Sequence, residues 1–233
     1  MSTEPGGIFI KTCGLRSAEA VEAAIGASVD AIGFMLAPSK RRVTIAEVVA
    51  IREALAVRQA PLPAFVAVTV NPTYAEIAAI VESGAFETIQ LSGDEDLTIR
   101  QRIPESLSVW KALRPAPDEP VEAVMQAVAT WLDGPQPVAR VMLDAYHPGS
   151  YGGSGVTGNW AIAAAIAARY PIVLAGGLTP ENVGMAIAEV SPFGVDVSSG
   201  IETDGVKDPE KIAAFVDAAR RAPAISSTGV RTP

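Results

Sequence analysis

Ile172-Val173-Leu174-Ala175-Gly176-Gly177-Leu178-Thr179-Pro180-Glu181 holds the pattern from which the fold of this chain follows. Its first four residues are apolar without alternation, as in a strand covered on both faces. The glycine pair then turns the chain, and Thr179, Pro180 and Glu181 supply a helix cap, a first-turn proline and a first-turn acid. This is a strand–turn–helix unit, and it recurs. Short apolar runs rich in Val, Ile and Phe also occupy 8–13, 31–36, 64–70, 88–91, 107–111, 139–144 and 194–198. Helix-start signals follow several of them: Ser17 before Ala18-Glu19-Ala20, Thr44 before Ile45-Ala46-Glu47, and Asp208-Pro209-Glu210. Strands alternating with helices give a parallel sheet. Eight such units in 233 residues, with no break in composition, predict a single closed (β/α)₈ barrel over 1–233, with short tails at 1–7 and 222–233. An open doubly wound sheet is the structural alternative, because periodicity does not reveal closure.

Composition limits what the barrel can do. Hydrophobic residues make up 49% of the chain, charged residues 19%, and the formal net charge is -8. With no basic run longer than Lys40-Arg41-Arg42, a nucleic-acid surface is not expected, and any anionic ligand must be held locally. No apolar run is long enough for a bilayer, and the first residues lack the pattern of a signal peptide. A lone cysteine makes no internal disulfide, so the expected location is cytoplasmic. The expected partner is a small molecule, with a monomer or a homodimer equally open.

Chemistry on this fold belongs at the C-terminal ends of the strands. Cys13 ends the first run, Asp144 ends the sixth, and glycine-serine turns follow the seventh and eighth at 175–180 and 196–201. Taken singly, each has a plain structural explanation: a small buried hydrophobe, a helix cap, a chain reversal. Together they make a site. Cys13 and Asp144 across one barrel mouth form an acid/base couple, and the glycine turns, with a helix start expected just behind them, form a phosphate cradle. Lys11 and Asp196 are charges inside apolar strands, which is costly unless they are paired. Strand eight lies beside strand one once the barrel closes, so a Lys11–Asp196 pair is expected beneath the site, with the cation favouring the Cys13 thiolate. The Gly-rich connection 147–155 is a candidate active-site loop, the sole histidine, His147, in it carries no expected catalytic role, and 114–120 reads as a Pro-rich linker.

Ordered matches along nearly the whole chain make a family resemblance. Ile10-Lys11-Thr12-Cys13-Gly14-Leu15, Pro38-Ser39-Lys40-Arg41, Ile89-Gln90-Leu91, Leu143-Asp144, Tyr151-Gly152-Gly153-Ser154-Gly155, Ala175-Gly176-Gly177-Leu178 and Asp196-Val197-Ser198-Ser199-Gly200 carry it. The chain resembles the phosphoribosylanthranilate isomerases of tryptophan biosynthesis, which perform an Amadori rearrangement. That resemblance implies Cys13 as general base and Asp144 as general acid. It further implies Arg41 as anchor of the anthranilate carboxylate, and Lys11, Gln90, Ser92 and Asp196 as substrate-facing groups. Gly153, Gly155, Gly176, Gly177, Ser198 and Ser199 become phosphate-binding positions. No metal or organic cofactor is implied, since the substrate's own amine is the electron sink.

Two departures stand out. Ser92 occupies a position where the family has histidine, and Gly158-Asn159 replaces Phe-Asp in the segment before Trp160. Both touch substrate-facing loops without removing an acid or base. A dual-substrate isomerase of histidine and tryptophan synthesis shares the barrel but carries an aspartate in place of Cys13. A non-catalytic sugar-phosphate-binding barrel would have no use for Cys13 and Asp144. A metal-dependent epimerase would need several converging imidazole and carboxylate ligands, which one histidine does not supply.

Overall fold

The computed structural model describes residues 7–56, 61–144 and 159–223. Eight parallel strands close into a barrel in sequential order. They are β1 (Phe9–Cys13), β2 (Ala31–Met35), β3 (Ala64–Thr69), β4 (Thr88–Leu91), β5 (Ser108–Leu113), β6 (Arg140–Leu143), β7 (Val173–Leu174) and β8 (Gly194–Val197). Around them lie α1 (Ala18–Gly26), α2 (Ile45–Leu55), α3 (Tyr74–Ser83), α4 (Val121–Leu132), α5 (Trp160–Ala167), α6 (Val183–Val190) and α7 (Pro209–Arg221). The seam that decides closure is β1 against β8, with Lys11 opposite Asp196. The open-sheet alternative is thereby excluded.

Strand parity sorts the side chains into two cores. Ile10, Ile32, Phe65, Ile89, Val109, Val141, Leu174 and Val195 face outward and pack under the helices. Cys13, Ala31, Val66, Val68, Trp110, Ala112, Met142 and Val173 fill the barrel interior. Because successive strand residues alternate faces, every interior position two residues further along approaches the C-terminal mouth. The interior apolar packing therefore ends in Cys13, Ser92, Arg114, Asp144 and Ser198, which follow that parity to the rim.

Three of the four helix-start signals hold; Thr179-Pro180-Glu181 does not, since α6 begins only at Val183, with Asn182 at its N-cap position, and those three residues lie ahead of it. Ser17 accepts from the Ala20 N–H, Thr44 forms a capping box with Glu47, and Asp208 accepts from the Glu210 and Lys211 N–H groups ahead of Pro209. The fourth unit differs, with a 3₁₀ helix, Leu97–Arg102, where an α-helix was expected. Asp96 caps it and Pro104 stops it almost at once, leaving too little chain for an α-helix. β5 runs on to Leu113, beyond the expected end at 111, because Ala112 and Leu113 continue the ladder against Met142 and Leu143 of β6; the buried Lys111 ammonium is met by Glu95 at 2.6 Å and by the Gly93 carbonyl at 2.7 Å. After β8 the chain adds a small hairpin, β9 (Glu202–Thr203) and β10 (Val206–Lys207), turned by Asp204 and Gly205 at φ 52° and 77°. Positive φ at both central positions is the mark of a type I′ turn.

No helix among the described residues is long and apolar enough to cross a membrane. The turns after β7 and β8 touch: a Cβ at Gly200 would drive into the Leu178 carbonyl oxygen. Backbone on the far side cannot yield as a flexible side chain would. Gly200→Ala is therefore expected to lower unfolding free energy by about 1–3 kcal/mol, measured by urea denaturation, whereas Gly26→Ala, at the end of α1 with open space around it, should leave stability unchanged or raise it.

Candidate active site

The centre of the barrel mouth is built on β1. Lys11 and Cys13 share its inward face; the Lys11 side chain is fully buried, and its Nζ lies 2.8 Å from Asp196 Oδ1. Burial works against the ammonium, but Asp196 and Cys13 more than offset it, so Lys11 is held above its ordinary range. Cys13 is pushed the other way from the expectation of a favoured thiolate. Burial raises its thiol, and Lys11 and Lys207 pull it back only in part against Asp196, so the net shift is upward. Cys13 also depends on an empty place across the sheet. Gly33 is its register partner on β2, and a Cβ there would stand 2.7 Å from Cys13 Sγ and 3.0 Å from Lys11 Nζ.

Cys13, Asp144, Arg41, Gln90, Ser92, Asp196, Gly176, Gly177, Ser198 and Ser199 all line one cavity at the mouth. Lys11 lies beneath it. Gly153 and Gly155, together with His147 and Gly158, lie outside the described residues. Asn159, the other member of the second departure, caps α5, its side chain accepting from the Ile162 N–H. Gln90 Nε2 donates to Ser92 Oγ at 3.0 Å, and Gln90 Oε1 is buried without a hydrogen-bond partner among the described residues. An acceptor left so is costly unless a ligand or water meets it.

The glycine turns differ from expectation in one respect. Gly176 and Gly177 adopt φ of 88° and 64°, which accounts for the glycine pair. Behind them, however, a turn over 179–182 precedes α6, with Asn182 Nδ2 donating to the Gly177 carbonyl at 2.9 Å. Behind the second turn stand the 3₁₀ segment Ser199–Ile201 and the hairpin, and α7 starts only at Pro209. No α-helix begins directly behind either turn, so what these turns present to an anion is local backbone N–H groups rather than an adjoining α-helix dipole.

Arg41 is buried on the rim, and two of its donors are already engaged. Nε and Nη2 meet the two oxygens of Glu202 at 2.6 and 2.8 Å. Lys207 reaches the same carboxylate at 2.9 Å; burial works against the charged carboxylate, but Arg41 and Lys207 more than offset it and leave Glu202 pushed down to about 2. Sequence reasoning missed Glu202 and Lys207; the Asp204-Gly205 turn signal between them could have found the hairpin. It also missed Arg114, which lines the cavity and was assigned to a linker. Its place directly after β5 was the available signal. Among the described residues no group of three or more His, Cys, Asp and Glu side chains could hold a metal ion.

Titratable groups gathered on the C-terminal rim of an otherwise apolar barrel are the build of a (β/α)₈-barrel enzyme, and fold and site together define that class. Comparison narrows it. The family model described as N-(5'-phosphoribosyl)anthranilate (PRA) isomerase matches residues 10–218. The N-(5'-phosphoribosyl)anthranilate isomerase of Roseiflexus castenholzii is 41% identical over 92% of this chain and 99% of its own. The crystal structure of the Thermotoga maritima enzyme superposes with a TM-score of 0.77 at 30% identity, covering 91% of this chain and 98% of that one. Another isomerase of this kind, 28% identical with a TM-score of 0.73 over 91% of this chain and 98% of its own, was solved in complex with reduced 1-(o-carboxyphenylamino)-1-deoxyribulose 5-phosphate. The chain belongs to the phosphoribosylanthranilate isomerase family, aldose-ketose isomerases of tryptophan biosynthesis.

The Lys11–Asp196 pair has a direct test. Lys11→Met leaves Asp196 buried without its cation and is expected to cost about 3–5 kcal/mol of stability. It also moves the pH midpoint of Cys13 alkylation upward, because a cation that lowers the thiol is gone. Lys11→Met/Asp196→Asn removes both charges and should regain much of the loss. A single variant as stable as wild type would contradict the pair's role.

Proposed function

We propose that Cys13 and Asp144 isomerise N-(5'-phosphoribosyl)anthranilate at the barrel mouth as general base and general acid. The observation that supports this reading most strongly is that both line one cavity together with the two glycine-serine turns. Asp144 gives its proton to the furanose ring oxygen, the ring C–O bond breaks, and the nitrogen lone pair forms the Schiff base. The Cys13 thiolate then takes the proton from sugar carbon 2, and the electrons of that C–H bond flow into the iminium to give an enolamine. Tautomerisation places a proton on carbon 1 and takes one from the carbon 2 hydroxyl, leaving the ketone. Protons are redistributed without net gain or loss.

The remaining residues bind. The backbone of Gly176, Gly177, Ser198 and Ser199 takes the phosphate, joined by Gly153 and Gly155 of the long loop. Gln90 and Ser92 meet sugar oxygens, for which Gln90 Oε1, without a partner among the described residues, is an available acceptor. The Arg41 donors not held by Glu202 take the anthranilate carboxylate, with Lys11 and Asp196 setting the charge beneath Cys13. On this reading the chain works in the cytoplasm, as a monomer or homodimer, on a free phosphosugar.

Loss of anthranilate fluorescence reports turnover directly. Cys13→Ala and Asp144→Asn, both folded, are expected to lose at least about 100-fold in kcat. Because the Cys13 thiol is pushed above its ordinary value of 9.0, wild-type kcat/KM should climb with pH through the neutral and alkaline range. A profile flat from neutrality upward, or a folded variant of near-normal rate, would refute the assignment.

Arg41→Ala is expected to raise KM by about tenfold or more while changing kcat much less, since a carboxylate anchor acts on ground state and transition state alike. An unchanged KM would move the anchor elsewhere, with Arg114 the next guanidinium on the cavity wall.

A further inference from the structure

The β9–β10 hairpin is an addition to the strand–helix alternation, and it carries two charged side chains into the rim. Glu202 and Lys207 pair across it in register, and their side chains are 7% and 5% exposed. A charge so buried is costly unless another group compensates it. Here the compensation runs through the substrate-facing residues. Glu202 holds Arg41 through both carboxylate oxygens, at 2.6 and 2.8 Å. Lys207 holds Glu202 at 2.9 Å and donates to the Ser198 carbonyl at 2.8 Å. Ser198 in turn donates through its hydroxyl to the Cys13 carbonyl at 3.1 Å.

The hairpin is itself fixed. Lys211 Nζ, on α7, donates to the Glu202 carbonyl at 2.8 Å, and Thr203 Oγ1 donates to the helix-capping carboxylate of Asp208 at 2.6 Å. The Arg41 stem crosses Gly14, where a Cβ would come 2.6 Å from Arg41 Cδ. The arginine is thus gripped at its head by Glu202 and seated along its stem on a glycine. A guanidinium has five N–H donors in a rigid planar fork, and two are used by Glu202. Because the fork is planar, fixing the Nε–Nη2 edge fixes the direction of the Nη1–Nη2 edge as well.

We propose that Glu202 is a positioning residue for the substrate carboxylate. It holds Arg41 so that the second edge of the guanidinium faces the cavity, with Lys207 balancing its charge. The inference rests on Arg41 being the anthranilate anchor and assigns the order of that subsite: Lys207 holds Glu202, Glu202 holds Arg41, Arg41 holds the ligand. The opposite geometry is that Glu202 occupies the place of the substrate carboxylate and must leave for it to bind. Removing Glu202 separates the two, because a positioning residue weakens binding when lost and a competitor strengthens it.

The experiment measures wild type and Glu202→Gln, first for turnover of phosphoribosylanthranilate and then by calorimetry. The titrants are the reduced product 1-(2-carboxyphenylamino)-1-deoxyribulose 5-phosphate and its aniline counterpart, which lacks the carboxylate. Glu202→Gln is expected to weaken the carboxylate-bearing compound about tenfold, to leave the aniline compound within about twofold, and to raise KM by the same factor as Kd with kcat little changed. Glu202→Asp, which keeps the charge on a shorter arm, should recover part of the loss. Unaltered or tighter binding overturns the proposal, and so does equal weakening of both compounds, which would mark general damage to the mouth. Where Glu202→Gln folds poorly, Glu202→Gln/Lys207→Gln removes one charge of each sign, and the same selective loss is expected. A wild type that does not turn over phosphoribosylanthranilate would instead sink the isomerase reading on which this inference stands.

Discussion

The seam between β1 and β8 carries the structure. A parallel barrel exists only if its first and last strands meet, and here they meet with Lys11 opposite Asp196 and their side chains paired at 2.8 Å inside the wall. Two charges in an apolar interior fix register more sharply than hydrophobic contact would, since a shift along the seam would leave each without its partner. The same pair sits directly under Cys13, so the contact that closes the fold also sets the electrostatics of the proposed base. Fold and chemistry share one interaction.

Above that seam, the mouth is assembled from groups that each restrain the next. Gly33 gives up its side-chain volume to Cys13 and Lys11, and Gly14 does so for Arg41. Gly200 lets the turn after β8 lie against the Leu178 carbonyl after β7, which brings the two halves of the proposed phosphate cradle together. On the outer side of the same rim Lys111, Glu95 and the Gly93 carbonyl form a second buried network that fixes the loop after β4, and with it the backbone next to Ser92. These close approaches and buried polar contacts are possible because the surrounding barrel is rigid and packed on both faces of every strand.

Much of this was legible in the sequence because it is written in periods and end-signals. Strands apolar on both parities, caps such as Thr44 and Asp208, and the two lone charges Lys11 and Asp196 are local patterns, and each maps to one element or one pairing. What escaped depends on distance in space. The bidentate grip of Glu202 on Arg41 joins residues far apart in the chain, and neither shows its partner in its own neighbourhood. The upward shift of the Cys13 thiol could not be read either, because it is decided by the depth of burial against the two cations, not by the residues beside it. The short 3₁₀ segment in the fourth unit escaped for a simpler reason: the regular alternation of strands with helices predicts an α-helix there, but Pro104 ends the segment before an α-helix can offset its nucleation.

The proposed site gathers base, acid, phosphate cradle and carboxylate anchor in one cavity, in register with a single phosphosugar. A crystal structure of this chain with reduced 1-(2-carboxyphenylamino)-1-deoxyribulose 5-phosphate tests it most directly. The predicted result places the phosphate on the backbone N–H groups of the turns at Gly177 and Ser199. Carbon 2 lies against Cys13 Sγ, the sugar oxygens lie within hydrogen-bonding reach of Asp144, and the carboxylate sits on the free edge of Arg41. A phosphate seated on Lys40 or Arg42 instead, with carbon 2 turned away from Cys13, would contradict it.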